Sequence, residues 1–266
     1  MTSTIPPKQR MLPAGVYTPL ISLFDDSPRQ NLDLDAMYKH CQHVVKSGMH
    51  GLVYQGTNGE AVLLSEAERQ QAISNARRAV NDLGFNDDFP IVAGITGEST
   101  NQSIRFAEQA ADAGANFALL LPASYWKGSV DDSVIISFYK EVADASPLPV
   151  VIYNFPGVTN GIDLNSDHIS ELAEHPNIVA VKLTCGNVGK MARLCSKFRP
   201  DQFSVFGGSS DYLVPTLEIG GMGCVTGMGN VFPAATAGLY EVWKAGRREE
   251  ARVSQTVSRN LTQYGH

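Results

Sequence analysis

The sequence lacks the features of secreted, membrane and nucleic-acid-binding proteins. It has four cysteines in 266 residues, none in CxxC spacing, so reduced thiols are expected rather than a disulfide scaffold. It contains no run of about 18 apolar residues, the length that a membrane helix needs. Its net charge of -6 disfavours nucleic-acid and anionic-membrane partners, because both require clustered Lys and Arg.

Targeting and cofactor motifs are missing as well. The segment Met1–Arg10 is polar, with no apolar signal core and too little basic charge for a transit peptide, so a cytoplasmic location is expected. HExxH, P-loop and nucleophile-elbow patterns do not occur, and Gly220–Gly229 lacks the GxGxxG order. His40 and His43 have HxxH spacing but fall on the first predicted helix. We therefore expect no metal and no cofactor.

The sequence does contain an eightfold alternation of apolar strands with longer helical patterns. The predicted strands are Gly15–Phe24, Gly51–Gly56, Pro90–Ile95, Phe117–Pro122, Pro149–Asn154, Ile178–Leu183, Phe203–Gly208 and Gly223–Met228. The predicted helices are Leu32–Ser47, Ser65–Leu83, Thr100–Ala113, Val130–Ala145, Ser166–Glu174, Val188–Lys197, Asp211–Ile219 and about Pro233–Ala245, with a final helical piece at Glu249–Gln263. Most strands are apolar throughout, which is typical of parallel strands buried on both faces. This pattern predicts an α/β protein: a (β/α)8 TIM barrel over residues 11–232 and a shortened C-terminal helical extension over residues 233–266.

In such a barrel, reactive side chains lie at the C-terminal ends of the strands. Lys182 ends an otherwise apolar strand, Ile178–Leu183, where an unpaired ammonium group is costly to bury. Burial favours the neutral amine, which is a nucleophile. A lysine that reaches solvent or pairs with a loop carboxylate would fit the same pattern.

Two neighbouring positions could assist an amine at Lys182. Tyr153 ends the preceding strand, and a phenol there could transfer protons, although an aromatic residue at a strand end often only packs. The loop Gly56–Glu60 has two glycines that allow successive backbone N–H groups to face a carboxylate. Its Thr57 adds a hydroxyl to the same region.

Together these positions resemble the dihydrodipicolinate synthase and N-acetylneuraminate lyase family, whose lysine enzymes form a Schiff base with pyruvate. The resemblance runs from about Pro13 to Val231. It rests on Thr18-Pro19, Gly56–Glu60, Tyr153–Pro156 followed by Gly161, Val181-Lys182 and the Gly-rich last strand.

The resemblance implies a role for each of four residues. Lys182 would form the imine with a small 2-oxo acid, and Tyr153 would transfer protons with the help of Thr57. The backbone N–H groups of Thr57 and Asn58 would hold the substrate carboxylate. The implied activity is that of a lyase, a class I pyruvate aldolase.

The resemblance also implies that subunits share a site. The family uses a tyrosine from the loop after the fourth strand, offered by a neighbouring subunit, and Tyr125 is the candidate here. Gly208 and Val225 are expected to contribute further to substrate binding. A homo-oligomer, a dimer or a tetramer, is therefore expected, although the chain ends at His266, earlier than is usual in the family.

Two departures bear on the substrate. The segment Pro156–Gly161 has no arginine, where dihydrodipicolinate synthases use one to bind their second substrate. The amino-acid sequences of Tyr153–Gly157 and Lys182–Gly189 resemble those of the fungal branch of the family, which cleaves 2-keto-3-deoxy sugar acids such as L-threo-3-deoxy-hexulosonate. The Thr57-Asn58 pair also resembles 4-hydroxy-2-oxoglutarate aldolases.

Three other functions fit parts of the sequence. The same imine could support dehydration of a sugar acid, which would release no pyruvate. A metal-dependent aldolase would be sensitive to chelators, but the sequence offers no ligand cluster for one. A non-catalytic barrel acting as a scaffold or binding protein would form no imine at all.

Overall fold

The structure is a computed structural model that describes residues 10–263, with side chains described as far as residue 256. The expectation for Met1–Arg10, apart from Arg10, and the last three residues of the predicted 233–266 segment lie outside the described residues. Within the described part, no helix is long and apolar enough to cross a membrane.

Eight parallel strands form a closed barrel in sequence order, with the first strand paired to the eighth. The strands are β1 (Gly15–Pro19), β2 (Gly51–Tyr54), β3 (Ile91–Gly94), β4 (Phe117–Leu120), β5 (Val150–Asn154), β6 (Ile178–Leu183), β7 (Ser204–Gly207) and β8 (Gly223–Val225). The predicted (β/α)8 fold is confirmed.

A helix follows each strand, and one more helix follows the last of these. The helices are α1 (Leu34–Lys46), α2 (Glu66–Asn81), α3 (Thr100–Asp112), α4 (Asp132–Ala145), α5 (Ser166–Ala173), α6 (Val188–Lys197), α7 (Leu213–Glu218), α8 (Pro233–Lys244) and α9 (Arg248–Gln263). Helix α8 is the eighth helix of the βα pattern, and the predicted division at residue 232 stays a prediction.

Most predicted strands are longer than the observed ones, and two of them exceed the observed strand by three residues or more. The apolar run Gly15–Phe24 continues past β1, but pairing stops at Pro19, and Phe24 makes only an isolated antiparallel bridge with Leu32. The run Gly223–Met228 ends at Val225, because the Thr226 side chain accepts a hydrogen bond from Met228 N and starts a tight 3-10 turn. Hydrophobicity continues in both places while the backbone leaves the sheet.

Local side chains and glycines define the helix ends. Ser65 and Glu68 form a capping box at the start of α2, in which each side chain accepts a hydrogen bond from the other residue's backbone N–H. Gly114 after α3 and Gly220 after α7 have φ of +96° and +93°, the left-handed conformation that ends many helices.

The core has two layers, and this layering decides which strand residues reach the site. Alternate strand residues point into the barrel and form an inner apolar cluster that includes Tyr17, Tyr153 and Phe206. The residues between them pack outward against the helices. In β6, Ala180 faces inward while Val181 and Leu183 face outward, so Lys182 also faces the barrel interior.

Helix α9 packs against the loop that follows β7. Its Gln255 side chain donates a hydrogen bond to the Ser210 carbonyl at 2.7 Å and accepts one from the Val214 N–H at 2.8 Å. Ser210 begins a 3-10 turn that leads into α7. The C-terminal extension is thus joined to a loop at the mouth of the barrel.

Candidate active site

Lys182 lies inside the barrel near the C-terminal end of β6. The residue is 3% exposed, and the strand register places it beside Tyr153 of β5 and Phe206 of β7. Its Nζ lies 3.9 Å from the centroid of the Tyr153 ring. A buried amine with an aromatic face beside it and no carboxylate ion partner among the described residues is unlike an ordinary structural lysine.

The Tyr153 phenol is tuned by its neighbours. Burial alone would raise the pKa of Tyr153, but the positive charge of Lys182 and the polar groups of Thr57, Lys182 and Thr184 together lower it below its ordinary value. Lys182 and Tyr153 are therefore an electrostatically coupled pair. A tyrosine whose pKa is lowered in this way gives up its phenol proton more readily than a free tyrosine does, and its phenolate can then take a proton back.

The turn after β2 brings Thr57 to the same place. The N–H groups of Gly59 and Glu60 close this turn on the carbonyls of Gly56 and Thr57. Within the described residues, the N–H groups of Thr57 and Asn58 have no acceptor, and both residues are exposed. The turn can therefore offer two free donors to an anion, and carboxylate binding by Thr57 and Asn58 stays a prediction.

A cavity of about 280 Å³ opens beside Tyr153 and Thr57 at the ends of β2 to β5. Three charged side chains line it: Glu60, Glu98 and Arg69. Its other polar lining residues are Gln55, Thr96, Ser124 and Thr159. The cavity is large enough for a small sugar acid held near the lysine–tyrosine pair.

Tyr125 is not in this cavity. It is 70% exposed and stacks edge to face with Trp126, with ring centroids 4.9 Å apart. Both rings line a separate outer cleft of about 500 Å³ between α3 and α4. Within one subunit the structure does not bring Tyr125 together with Lys182 and Tyr153.

Gly208 and Val225 lie on the opposite side of the barrel mouth from the cavity. Val225 is buried at the end of β8, in the inner cluster. Gly208 follows β7, and its N–H donates to the Tyr212 hydroxyl at 2.9 Å. A Cβ added at Gly208 would lie 2.0 Å from Thr184 Oγ1, so only glycine fits between the ends of β6 and β7.

A support beneath the Thr57 turn could not be predicted from the sequence. Gln55 has a left-handed φ of +52°, and a Cβ at Gly94 would lie 1.8 Å from its carbonyl oxygen. Buried Arg69 donates to the carbonyls of Ala61 at 3.1 Å and Gly94 at 2.6 Å. Burial lowers the pKa of Arg69 to about 10, with Glu66 acting in the opposite direction. The only sequence signals were the position of Gln55 directly after β2 and that of Gly94 at the end of β3.

A second network could not be predicted either, and it lies under the loop after β5. Lys190 of α6 is 3% exposed and forms an ion pair with Asp163. The same Asp163 oxygen accepts a hydrogen bond from Asn154 Nδ2 at 2.7 Å, and Asn154 Oδ1 accepts one from the Leu164 N–H at 2.9 Å. Burial would raise the pKa of Asp163, but its bonds to Asn154 and Lys190 and the Lys190 charge lower it.

In the part of the chain that the structure describes, no three His, Cys, Asp or Glu side chains gather in a geometry that could hold a metal ion. His40 contacts Asn230 instead, with 3.0 Å between its Nε2 and the amide oxygen.

Residues 12–264 match the model of the dihydrodipicolinate synthetase family. The chain belongs to this family. The resemblance stated from the motifs is confirmed, and it extends through α9.

Relatives in the dihydrodipicolinate synthetase family carry aldolase names. A Coccidioides immitis (strain RS) protein named as a mitochondrial 4-hydroxy-2-oxoglutarate aldolase is 46% identical over 89% of this chain and 74% of its own length. An Aspergillus niger L-threo-3-deoxy-hexylosonate aldolase is 36% identical over 91% of this chain and 79% of its own. The crystal structure of YagE from E. coli K12, a prophage protein of the dihydrodipicolinic acid synthase family in complex with pyruvate, superposes with a TM-score of 0.85 at 27% identity, covering 94% of this chain and 82% of that one.

Family membership and these aldolase names together support a class I pyruvate aldolase. This member of the dihydrodipicolinate synthetase family is an enzyme, and its class is that of the lyases.

Proposed function

We propose that this chain cleaves a 2-keto-3-deoxy sugar acid, such as L-threo-3-deoxy-hexulosonate, to pyruvate and an aldehyde in carbohydrate catabolism. The observation that carries the proposal is the buried Lys182 amine, which lies 3.9 Å from the centroid of the Tyr153 ring, while Tyr153 itself lines a cavity at the mouth of the barrel. Schiff-base chemistry needs such an amine and a proton-transfer group next to it.

The reaction begins at the 2-oxo carbon. The neutral Lys182 amine attacks this carbon, and Tyr153 gives its phenol proton to the departing hydroxyl, so that water leaves and a protonated imine and the Tyr153 phenolate remain. The N–H groups of Thr57 and Asn58 hold the substrate carboxylate. Gly208 and Val225 bound the pyruvate side of the site, next to the strand that carries Lys182.

The imine then accepts electrons while the C3–C4 bond breaks. The Tyr153 phenolate, assisted by Thr57 and by Tyr125 of a neighbouring subunit, takes the proton of the C4 hydroxyl. The aldehyde leaves, the enamine is protonated at C3, and water hydrolyses the imine to free pyruvate and Lys182. Covalent catalysis divides one difficult step into several easier ones.

The charges around the cavity favour a polyhydroxy substrate. Glu60 and Glu98 line it, while the guanidinium of Arg69 is engaged with the carbonyls of Ala61 and Gly94. A dicarboxylate such as 4-hydroxy-2-oxoglutarate would place its second carboxylate among like charges, which costs free energy. Sugar hydroxyls would instead donate to these carboxylates.

The Coccidioides immitis relative's name favours 4-hydroxy-2-oxoglutarate as the second candidate substrate. We expect kcat/KM for L-threo-3-deoxy-hexulosonate to exceed that for 4-hydroxy-2-oxoglutarate by at least about tenfold. Pyruvate release, coupled to lactate dehydrogenase, measures both. A higher kcat/KM for 4-hydroxy-2-oxoglutarate would make this dicarboxylate the substrate. Consumption of the sugar acid without release of pyruvate would indicate dehydration.

We propose that the enzyme is a homo-oligomer, a dimer or a tetramer, in which the apolar rim around Tyr125 is covered by a second copy. Four large apolar side chains are exposed there: Val62 at 94%, Leu63 at 73%, Tyr125 at 70% and Trp126 at 68%. Val62 and Ser124 line the same cavity, so both segments lie at one edge of the site. Exposed apolar surface of this kind is typical of an interface.

Replacing Trp126 with aspartate should dissociate the oligomer and lower activity, because the charge would be buried between copies. Light scattering gives the mass, and pyruvate release gives the activity. Phe85→Asp is the matched control, since Phe85 is 44% exposed at the other end of the barrel. A Trp126→Asp protein with unchanged mass would contradict the shared site.

The cytoplasmic location stays a prediction, and the name of the Coccidioides immitis relative makes the mitochondrion the competing location. Cell fractionation with marker enzymes separates the two.

A further inference from the structure

The loop between Asn154 and Asp163, residues 155–162, forms one wall of the cavity. Val158 and Thr159 supply that wall. The loop is bonded internally, since the N–H groups of Val158 and Gly161 donate to the carbonyls of Phe155 and Pro156 at 3.1 Å and 2.9 Å. Asn160 ties the middle of the loop to the segment after β4, since its Nδ2 donates to the Ser124 carbonyl at 2.8 Å and its carbonyl accepts from Lys127. The position of the loop therefore depends on this contact and on the loop's two ends.

The two ends are joined by the Asp163 carboxylate. Asn154 at the start of the loop donates to Asp163 Oδ1 at 2.7 Å, and Lys190 of α6 forms an ion pair with the same oxygen. Lys190 is 3% exposed, and buried ammonium groups need such a partner. The loop is therefore tied to the helix that follows the Lys182 strand.

These contacts sit beside the reacting groups without touching them. Asn154 is the residue after Tyr153, and its carbonyl accepts a hydrogen bond from the Thr184 N–H at 3.0 Å, two residues after Lys182. The groups assigned to the pyruvate half, Lys182 and the Thr57 turn, lie on β6 and after β2. The loop faces the space that remains for the aldehyde half.

We propose that Asp163 and Lys190 are positioning residues that, with Asn154, set the loop of residues 155–162 against the aldehyde half of the substrate. This inference rests on the proposed function. The ion pair between Lys190 and Asp163, which is buried only on its lysine side, would control binding of the aldehyde half, while binding of the pyruvate half would not depend on it.

The test measures binding of the pyruvate half and of the aldehyde half of the substrate in separate assays. In Lys190→Met and Asp163→Asn, the adduct trapped with pyruvate and borohydride should stay within about twofold of wild type, while kcat/KM for cleavage of the sugar acid falls by about 10- to 100-fold. In the condensation direction, KM for glyceraldehyde should rise by at least about tenfold and KM for pyruvate should change less than about twofold.

Two further variants act as controls. Lys190→Arg keeps a cation opposite Asp163 and should restore most of the cleavage activity. Lys140→Met removes an exposed ion pair of similar length, 2.7 Å to Glu171, and should leave both assays unchanged. Asp163 has a side chain that is 45% exposed, so Asp163→Asn is expected to fold even if the buried Lys190→Met does not.

Each other outcome overturns the inference. If trapping and cleavage fall together, the pair is only structural, and if neither falls, the loop is set by something else. If wild-type protein traps no pyruvate, the proposed Schiff-base function itself fails, which is a different result from a selective loss of cleavage.

Discussion

Replacing Lys182 with methionine is expected to abolish the borohydride-trapped pyruvate adduct and to lower kcat by about 10⁴-fold or more. Methionine keeps an unbranched side chain in the buried position but has no nucleophile. The rest of the barrel should be unaffected, because Lys182 has no ion-pair partner among the described side chains. Intact-protein mass spectrometry after borohydride treatment detects the adduct, and the rate of pyruvate release measures the activity.

The chain offers an internal control for this result. Lys190 is equally buried, but its amine is engaged in an ion pair with Asp163 and is not free to attack a carbonyl carbon. Peptide mapping should therefore find the mass increase on Lys182 and none on Lys190. Full activity in the Lys182→Met variant would contradict the assignment.

The Lys182→Met variant should also change the pKa of Tyr153. Burial raises that pKa, and the Lys182 charge is the largest influence that lowers it. Without the cation, burial dominates and the pKa of Tyr153 should rise. An ultraviolet titration of phenolate formation, compared with the Lys182→Met/Tyr153→Phe double variant, isolates this residue from the other tyrosines.

Replacing Tyr153 with phenylalanine is expected to lower kcat by about 10²- to 10⁴-fold, the range that general acid–base catalysis contributes. Phenylalanine preserves the ring that packs in the inner cluster, so thermal stability should change little. The pyruvate adduct should still form, but slowly, because the amine is retained and only proton transfer is lost. Stopped-flow trapping and steady-state cleavage assays measure the two effects separately.

Tyr38→Phe is the matched control for that experiment. Its hydroxyl donates to Asp82 at 2.6 Å between α1 and α2, outside the barrel. Activity should not change in this variant. An equal loss of activity in both variants, or no loss in Tyr153→Phe, would remove Tyr153 from the mechanism.

The fold and the central pair could be predicted because both depend on short-range patterns. Continuous apolar strands separated by amphipathic helices specify the barrel, and position at a strand end places Lys182 and Tyr153 at its mouth. Neighbouring strands then fix their distance. The capping box at Ser65 and Glu68 is local in the same way, since its partners are three residues apart.

The supporting contacts could not be predicted because they join distant segments. Lys190 and Asp163 meet only after α6 has docked with a particular rotation, and nothing in either segment specifies that rotation. Gln55 and Gly94 are similar, since their close approach depends on how two loops leave the sheet. The ends of β1 at Pro19 and of β8 at Val225 could not be predicted, because hydrophobicity indicates which residues are buried and not which backbone groups pair in the sheet.

The uneven pairing around the barrel also has a consequence for how the chain folds and opens. Strands β5 and β6 are matched at five positions, whereas β7 and β8 are matched at two. The last strand must also find the first, at the far end of the chain, so closure carries the largest entropy cost and comes late in folding. Until then, β1 and β8 are unpaired edges open to association with other chains. The strand pairing at β8 is therefore the weakest part of the barrel wall. Thermal fluctuations should open the barrel there before they separate the strands that carry Tyr153 and Lys182.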